Sequence, residues 1–216
     1  PEIVGRDAVA NADRVTNPGC YPTGFIALVA PLVRAGLLPG DWPYTVNAVS
    51  GYSGGGKALI ARFEDDGDIA FRDYGLTLAH KHVPEMRKLA GLEHTPVFAP
   101  AVIPAHRGMV VEVPLPLSAM PLAADPDALR ARLAEFYADS AVVTVNAGTP
   151  DELLLRRSMP PSDRLDLHVF GARDGSQARL VAVLDNLGKG ASGAAVQNLN
   201  LMAGFPETDG LSLQSA

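Results

Sequence analysis

The stretch from Pro22 to Ala35 limits the possible folds more than any other part of the sequence. Its apolar side chains recur at helical spacing and cover more than one face of the expected helix: Phe25, Ile26, Leu28, Val29, Leu32 and Val33. Such a helix has to be buried, because a surface helix needs a polar face. Gly36 follows and can end it. We therefore predict a mostly buried helix over this stretch.

Short extended segments and further helices follow along the chain. Strands are predicted at Thr45–Val49, Gly108–Leu117, Val142–Val145, Asp166–Ala172 and Arg179–Asp185. Asp174-Gly175 predicts a hairpin between the last two, and Pro114 and Pro116 favour a sheet edge for the second. Other helices are predicted at Ala58–Phe63, from Pro84, from Asp125 and at Ala191–Ala203. The pattern indicates an α+β domain with a mixed sheet, preceded by a surface segment over residues 1–16.

Composition excludes several classes of function. The 216 residues include 24 acidic and 18 basic side chains, so no basic stripe is available to neutralise nucleic-acid phosphates. No apolar run approaches the ~20 residues of a membrane helix, and a single Cys excludes an intrachain disulfide. We expect a soluble, cytoplasmic protein with a small-molecule substrate and with neither nucleic acid nor membrane as a partner.

Cys20 is the first candidate for chemistry. It lies between the turn signal Asn17-Pro18-Gly19 and the start of the predicted helix. The positive end of the helix dipole and the unpaired N–H groups there favour the thiolate, which is the nucleophilic form. A buried structural cysteine is the alternative, because free Cys is among the most buried residue types.

The segment His80-Lys81-His82-Val83-Pro84-Glu85 is the second candidate. On an extended segment the two histidines point to the same side, and the carboxylate follows at a helix start. The pair fits a general base beside a substrate-binding group, two metal ligands, or two surface histidines. Together with the other histidines and Cys20, the spacings match no compact zinc pattern, so we expect no metal.

Two further segments are rich in glycine. Gly51–Ala58 matches a phosphate-binding loop except at its last position, where alanine has no hydroxyl for magnesium. Free backbone N–H groups can still cradle one phosphate. A flexible turn is the alternative. Asp185–Ser192 allows close approach of a flat ligand, or is a plain connection.

Arg107 can bind a carboxylate or phosphate with two N–H groups, or is an ordinary surface arginine.

Taken together, these segments resemble the N-acetyl-gamma-glutamyl-phosphate reductase family of arginine biosynthesis. The matching stretches occur in the family's order: Asn17–Gly24, Ser50–Gly54, His80–Met86, Arg107–Met109 and Asp185–Asn198. The resemblance implies the fold of the C-terminal catalytic domain of semialdehyde and glyceraldehyde-phosphate dehydrogenases, with helices packed on a mixed, largely antiparallel sheet. The family's dinucleotide-binding fingerprint is a G-x-G-x-x-G that opens the first helix after an initial strand, and no such motif follows an initial strand here.

The resemblance also implies a division of the chain and a reaction. Residues 1–19 would be a lead-in from a nucleotide-binding domain, residues 20–185 a catalytic and dimerisation domain, and residues 186–216 a cofactor-facing loop with a C-terminal helix. The implied enzyme is a homodimer or homotetramer that uses NADPH to reduce an acyl phosphate through a thioester on cysteine.

Roles for nine residues follow from the resemblance. They are Cys20 as nucleophile, His80 as general acid and base, His82, Glu85, Arg107, Ser50 and Gly51 at the substrate, and Asn186 and Gly190 beside the nicotinamide. Without a nucleotide-binding domain, two alternatives stay open. One is a non-catalytic fragment for dimerisation or substrate binding, and the other is a Cys–His acyl hydrolase that needs no cofactor.

Overall fold

A mixed sheet organises the computed structural model, which describes residues 1–121 and 124–214. Seven strands lie in these ranges: β1 (Thr45–Gly51), β2 (Arg72–Asp73), β3 (Val97–Ile103), β4 (Met109–Leu115), β5 (Val143–Val145), β6 (Leu165–Gly171) and β7 (Ala178–Leu184). Their order is β2-β3-β1-β4-β7-β6-β5. β1 pairs in parallel with β3, and β5 with β6, whereas the other neighbours are antiparallel. The predicted α+β fold with a mixed, largely antiparallel sheet is confirmed.

Six α-helices lie in the same described ranges: α1 (Arg6–Ala10), α2 (Cys20–Arg34), α3 (Gly56–Asp65), α4 (Val83–Ala90), α5 (Pro126–Phe136) and α6 (Gly193–Ala203). α2 and α5 pack on the sheet and on each other, α4 packs against α2, and α1 packs against α6. A 3-10 turn at Tyr52–Gly55 precedes α3, and a π-helical turn at Gly188–Ser192 precedes α6. Within the described ranges, none of the helices combines the length and the apolar character that a membrane crossing requires.

α2 is the buried helix that the sequence predicts. It begins at Cys20, two residues before the expected start, and eleven of its fifteen residues are buried. Gly24 allows the helix to lie close to the sheet, because a Cβ there would lie 3.0 Å from Val111 on β4 and 3.2 Å from Ala182 on β7. The packing of α2 on the middle of the sheet therefore fixes the position of Cys20.

The sheet edge expected from Pro114 and Pro116 is found at the end of β4 and not along the strand as a whole. β4 is the central strand, with three strands on each side. However, β1 pairs with β4 only over Met109–Glu112, while β7 pairs along the whole strand. Pro114 therefore has a neighbouring strand on one side only, which a residue without an N–H tolerates.

The last helix exposes the apolar residues that are aligned in the sequence. Leu199 is 61% exposed and Met202 is 36% exposed. The opposite, buried side of α6 carries amides: Gln197, Asn198 and Asn200. These amides donate hydrogen bonds to residues near both ends of the chain, including Glu2 and Asn17. The helix was expected at 191–203 and is found from Gly193; the last two residues of the 186–216 segment lie outside the described residues.

The first sixteen residues lie mostly at the surface, as expected, but they also contact the interior. Val9 is buried, and the Glu2 carboxylate accepts hydrogen bonds from Lys189 Nζ at 3.0 Å and from Gln197 Nε2 at 2.8 Å. Lys189 is itself buried, in the turn between β7 and α6. Because a buried ammonium needs a charged partner, this early segment stabilises the turn.

The close approach of α2 to the sheet yields a test. Gly24→Val adds atoms where a Cβ alone would already press on Val111. We expect the free energy of unfolding to fall by about 1–3 kcal/mol, as in other overpacked cores. The measurement is the midpoint of urea unfolding followed by circular dichroism.

Gly67→Ala is the matched control, since a Cβ at Gly67 would meet no atom within 4 Å. Its free energy of unfolding should stay within about 0.5 kcal/mol of the wild type. Equal unfolding midpoints for Gly24→Val and the wild type would contradict the close packing of α2.

Candidate active site

Cys20 stands at the entrance of α2. It is the first helical residue, Gly19 precedes the helix, and the cysteine is half-buried. Backbone N–H groups in the first turn of a helix have no acceptor inside the helix and point out of its end. The predicted position of Cys20 at a junction between turn and helix is confirmed.

Cys20 borders a cleft of about 810 Å³. Six of the other predicted site residues also line it: Ser50, Gly51, His80, His82, Asn186 and Gly190. Glu85 and Arg107 are not among the described residues that line it, and Glu85 lines a second cavity instead. The histidines share this cleft with Cys20 because they immediately precede α4, which packs against α2.

The two histidines form one aromatic cluster with Tyr21. The ring centroids of His80 and His82 are 4.7 Å apart, and the Tyr21 ring lies 6.2 Å from the first and 6.0 Å from the second. The backbone N–H of His82 donates to Nδ1 of His80 at 3.2 Å, which favours the neutral tautomer with its proton on Nε2. A Cβ on Gly19 would collide with the His82 ring. His82 therefore packs directly on the residue that precedes Cys20.

Both histidines are neutral at pH 7. Burial lowers the pKa of His80, and the positive charge of Lys81 lowers it further. Burial lowers the pKa of His82 to about 4, with smaller contributions from His80 and Lys81. Because a neutral imidazole can accept a proton, each ring is able to act as a base.

The thiol of Cys20 is protonated in the resting protein. Burial raises its pKa above the ordinary value of a cysteine. The backbone N–H groups of Tyr21 and of Cys20 itself, and the charge of Lys81, oppose this rise without overcoming it. The expectation that the helix start makes Cys20 a thiolate is therefore wrong for the resting state. Attack by sulfur requires a base that takes the proton.

Glu85 connects the histidine segment to the residue before Cys20. Its Oε2 accepts the backbone N–H of Gly19 at 2.9 Å, and Glu85 lies in the first turn of α4. A hydrogen bond to a carboxylate is stronger than one to a neutral acceptor. The observed role is to hold the backbone beside Cys20, while a contact of Glu85 with substrate stays a prediction.

The glycine loop after β1 is tied to the segment before β4. Three of its N–H groups donate to backbone carbonyls: Gly51 to Gly108, Tyr52 to Ala105 and Ser53 to His106. At these three positions the expectation of N–H groups that are free to bind a phosphate is wrong. A Cβ at Gly51 would also lie 2.8 Å from the backbone of Arg107, so glycine is needed there for close packing.

Asn186 and Arg107 are engaged within the protein. Oδ1 of Asn186 accepts the N–H of Gly108 at 2.9 Å, and its Nδ2 donates to Oγ of Ser53 at 2.9 Å. Nη1 of Arg107 donates to the fully buried carboxylate of Asp185 at 2.9 Å. Asn186 thereby joins two walls of the cleft, and Arg107 neutralises a buried charge. Their predicted contacts with cofactor and substrate stay predictions.

Gly190 lies against Cys20. A Cβ at this position would be 2.9 Å from Cβ of Cys20 and 3.1 Å from the carbonyl oxygen of Asp185. No side chain fits there, and Gly190 also lines the cleft. Glycine is therefore needed at position 190 for close packing. Contact of Gly190 with a nicotinamide stays a prediction, as does contact of Asn186, whose two polar atoms each already bind one group of the protein.

Several cleft residues were missed from the sequence. Arg62, Arg72, Tyr74 and Lys81 line the cleft, although only Lys81 adjoins a recognised motif. Arg72 lies in the short strand β2 and Tyr74 follows that strand. Because the two residues are two positions apart, their side chains share one face of the extended segment. That spacing is the one signal that the sequence offers. In residues 1–121 and 124–214, no three side chains of His, Cys, Asp or Glu are grouped closely enough to hold a metal ion.

Known proteins with similar sequences share one name. Residues 20–186 match the family model described as semialdehyde dehydrogenase, dimerisation domain. The N-acetyl-gamma-glutamyl-phosphate reductase of Burkholderia cenocepacia is 50% identical over 94% of this chain and 68% of that protein. The enzyme of that name from Rhizobium meliloti is 49% identical over 90% of this chain and 65% of that protein. N-acetyl-gamma-glutamyl-phosphate reductase 2 of Nostoc sp. is 45% identical over 95% of this chain and 68% of that protein.

A solved structure supports the fold. Aspartate semialdehyde dehydrogenase II from Vibrio cholerae superposes with a TM-score of 0.64 at 21% identity, over 94% of this chain and 67% of that one. The chain spans about two thirds of the length of the relatives named above. The extent of these matches shows that the chain belongs to the N-acetyl-gamma-glutamyl-phosphate reductase family and contains the semialdehyde dehydrogenase dimerisation domain.

Proposed function

We propose that this chain is the catalytic portion of an enzyme that reduces N-acetyl-γ-glutamyl phosphate to N-acetylglutamate semialdehyde and phosphate, with NADPH, in arginine biosynthesis. One observation carries the proposal: Cys20 begins a buried helix and shares a cleft with two neutral histidines. The names of the relatives supply the substrate and the product class.

The first half-reaction is transfer of the acyl group to sulfur. Sγ of Cys20 bonds to the acyl carbon, and the bond from that carbon to the phosphate oxygen breaks, with its electron pair leaving on phosphate. His80 takes the thiol proton. The imidazolium that results has no acceptor nitrogen, so the hydrogen bond from the His82 N–H to Nδ1 is given up. The product is a thioester on Cys20.

The second half-reaction releases the aldehyde. When bound, NADPH supplies the hydride that reduces the thioester carbon. Gly190 packs against Cys20 and lines the cleft, and in this proposal its backbone faces the nicotinamide. As the carbon–sulfur bond breaks, the sulfur leaves as thiolate and takes the proton back from His80, which restores both side chains.

Some of the remaining predicted residues line the cleft, and others act through contacts within the protein. His82, Ser50 and Gly51 line the cleft and, in this proposal, touch the substrate. Glu85 and Arg107 act first through the protein, by holding Gly19 and Asp185. Substrate contacts predicted for these two residues, and contact of Asn186 with the cofactor, are part of the proposal.

Two exposed surfaces are proposed as contacts with other subunits and with a nucleotide-binding domain. Asn47 on β1 and Val97 on β3 are exposed on the side of the sheet opposite the core residues Val46 and Phe98. We assign this face to the contact in a homodimer or homotetramer. The exposed apolar side of α6, at Leu199, is assigned to packing on a nucleotide-binding domain. The proposed compartment is the cytoplasm.

Cys20→Ser tests the nucleophile in a half-reaction that needs no cofactor. When this chain is mixed with N-acetyl-γ-glutamyl phosphate, we expect one equivalent of phosphate and a mass increase of one N-acetylglutamyl group. The variant should show neither, with an unchanged circular dichroism spectrum. Intact-mass spectrometry and a phosphate assay make the measurement.

The other outcomes identify the alternatives. Normal acylation of Cys20→Ser would remove this residue from the chemistry. A thioester that hydrolyses rapidly without NADPH would indicate a cofactor-free acyl hydrolase. A wild-type chain that binds the substrate without releasing phosphate would indicate a non-catalytic binding fragment.

His80→Asn tests the base. An asparagine oxygen can still accept the His82 N–H, so the turn is kept while the titratable ring is lost. We expect the single-turnover rate of phosphate release to fall by about 10²–10⁴-fold. His82→Asn is the matched variant on the same turn. A small loss for His80→Asn with a large loss for His82→Asn would move the base role to His82.

The raised pKa of Cys20 predicts the pH profile of its alkylation by iodoacetamide. Only the thiolate reacts, so a pKa above the ordinary value of ~8.5 makes the rate at pH 7 lower than for free cysteine and keeps it rising beyond pH 8.5. Glu85→Gln removes a negative charge that raises this pKa, while its amide oxygen can still accept the Gly19 N–H. Its profile should move to lower pH, and exposed Glu93→Gln should not move it. A wild-type plateau reached below pH 8 would contradict the assignment.

A further inference from the structure

The charges along the cleft are opposite in sign to those of the chain as a whole. The protein has a formal net charge of −6, yet three cationic side chains line the cleft: Arg62, Arg72 and Lys81. No aspartate or glutamate occurs among the described lining residues. A concave surface with charge of one sign and no internal counter-charge favours a ligand of the opposite sign.

Arg72 is the most constrained of these cations. It is half-buried, whereas Arg62 and Lys81 are exposed. Its Cζ lies 4.4 Å from the centre of the Tyr74 ring, a cation–π contact, and its strand position is paired with Val102, which also lines the cleft. No described carboxylate lies within 4.0 Å of Arg72. The guanidinium is thus held by a ring and has its hydrogen-bond donors available.

Arg72 is separated from the nucleophile by two tyrosines. Tyr21 follows Cys20 in α2, and the hydroxyl of Tyr74 donates to the hydroxyl of Tyr21 at 3.1 Å. Arg72 stacks on Tyr74 and so lies farther along the same wall. Lys81 stands between the two histidines in sequence, close enough to Cys20 for its charge to act on the thiol. The cleft therefore has one cation near the sulfur and another at a distance.

The proposed substrate also has two anionic groups, one at the reacting end and one remote from it. Its phosphate is attached to the carbon that sulfur attacks, and its α-carboxylate lies at the other end of the glutamyl chain. We infer that Arg72 binds the α-carboxylate of the substrate through two N–H groups and thereby selects acyl phosphates that carry this carboxylate. The inference rests on the proposed function and adds a specificity-determining residue to it.

A pair of substrates tests Arg72 directly. One is N-acetyl-γ-glutamyl phosphate, and the other is its α-carboxamide, which has the same acyl phosphate without the remote charge. The readout is the concentration dependence of single-turnover phosphate release by this chain. We expect the wild type to prefer the carboxylate form by about 10- to 100-fold, the range for a charged hydrogen-bonded pair.

Arg72→Gln should remove this preference. Its half-saturating concentration for the carboxylate form should rise by about 10- to 100-fold at a similar maximal rate, while the carboxamide reacts as with the wild type. Arg72→Lys retains the charge without the planar fork and should recover part of the preference. Arg87→Gln, an exposed change outside the cleft lining, is the control and should behave as the wild type.

The outcomes separate this inference from the proposed function. Equal loss with both substrates in Arg72→Gln, or no loss with either, would overturn the role of Arg72. A wild type that is acylated by both substrates without preference would overturn it as well, while leaving the proposed reaction intact. A wild type that is acylated by neither would contradict the proposed function itself.

Discussion

The burial of α2 against the middle of the sheet is the contact on which the whole cleft depends. Because Gly24 lies close to Val111 and Ala182, the helix has little freedom to shift, and Cys20 at its first position has little freedom either. The N–H of Gly19, just outside the helix, is bound by Glu85. A charged hydrogen bond of this kind contributes about 1.5–3 kcal/mol. One carboxylate thus couples the nucleophile to the segment that carries both histidines.

Burial favours the neutral form of Cys20 and of both histidines, and it shifts their pKa values in opposite directions. It raises the pKa of the Cys20 thiol and lowers the pKa of His80 and His82. The resting site is therefore a neutral thiol beside neutral imidazoles, rather than a thiolate–imidazolium pair. A neutral thiol is less open to alkylation and oxidation. Under the proposed function, the reactive sulfur is generated only as its proton moves, together with attack on the substrate.

The sequence predicts those features that depend on local pattern. The buried helix over residues 22–35 follows from its apolar faces, and the β6–β7 hairpin follows from Asp174-Gly175. Features set by distant neighbours do not follow. Periodicity identified the last helix, but it could not show which side of the helix packs against the rest of the protein. The apolar side with Leu199 is the exposed one. The helix dipole at Cys20 was visible in the sequence, whereas the burial that outweighs it was not. The prediction that Cys20 and the histidines share one site came from a family resemblance. Sequence spacing alone could not give it, because the topology of the fold brings these distant segments together.

Several polar groups in the cleft walls bind to other groups of the protein, which leaves anion recognition to cationic side chains. The loop N–H groups of Gly51 and Ser53 and both polar ends of Asn186 are satisfied by the protein, so they hold the cleft in shape before any ligand arrives. Anion binding is left to side chains without protein partners, of which Arg72 is the most constrained. Since its guanidinium forms no ion pair with a described residue, exchanging it removes the cation–π contact with Tyr74 and no salt bridge. Selectivity for the remote charge can therefore change independently of the framework that positions Cys20.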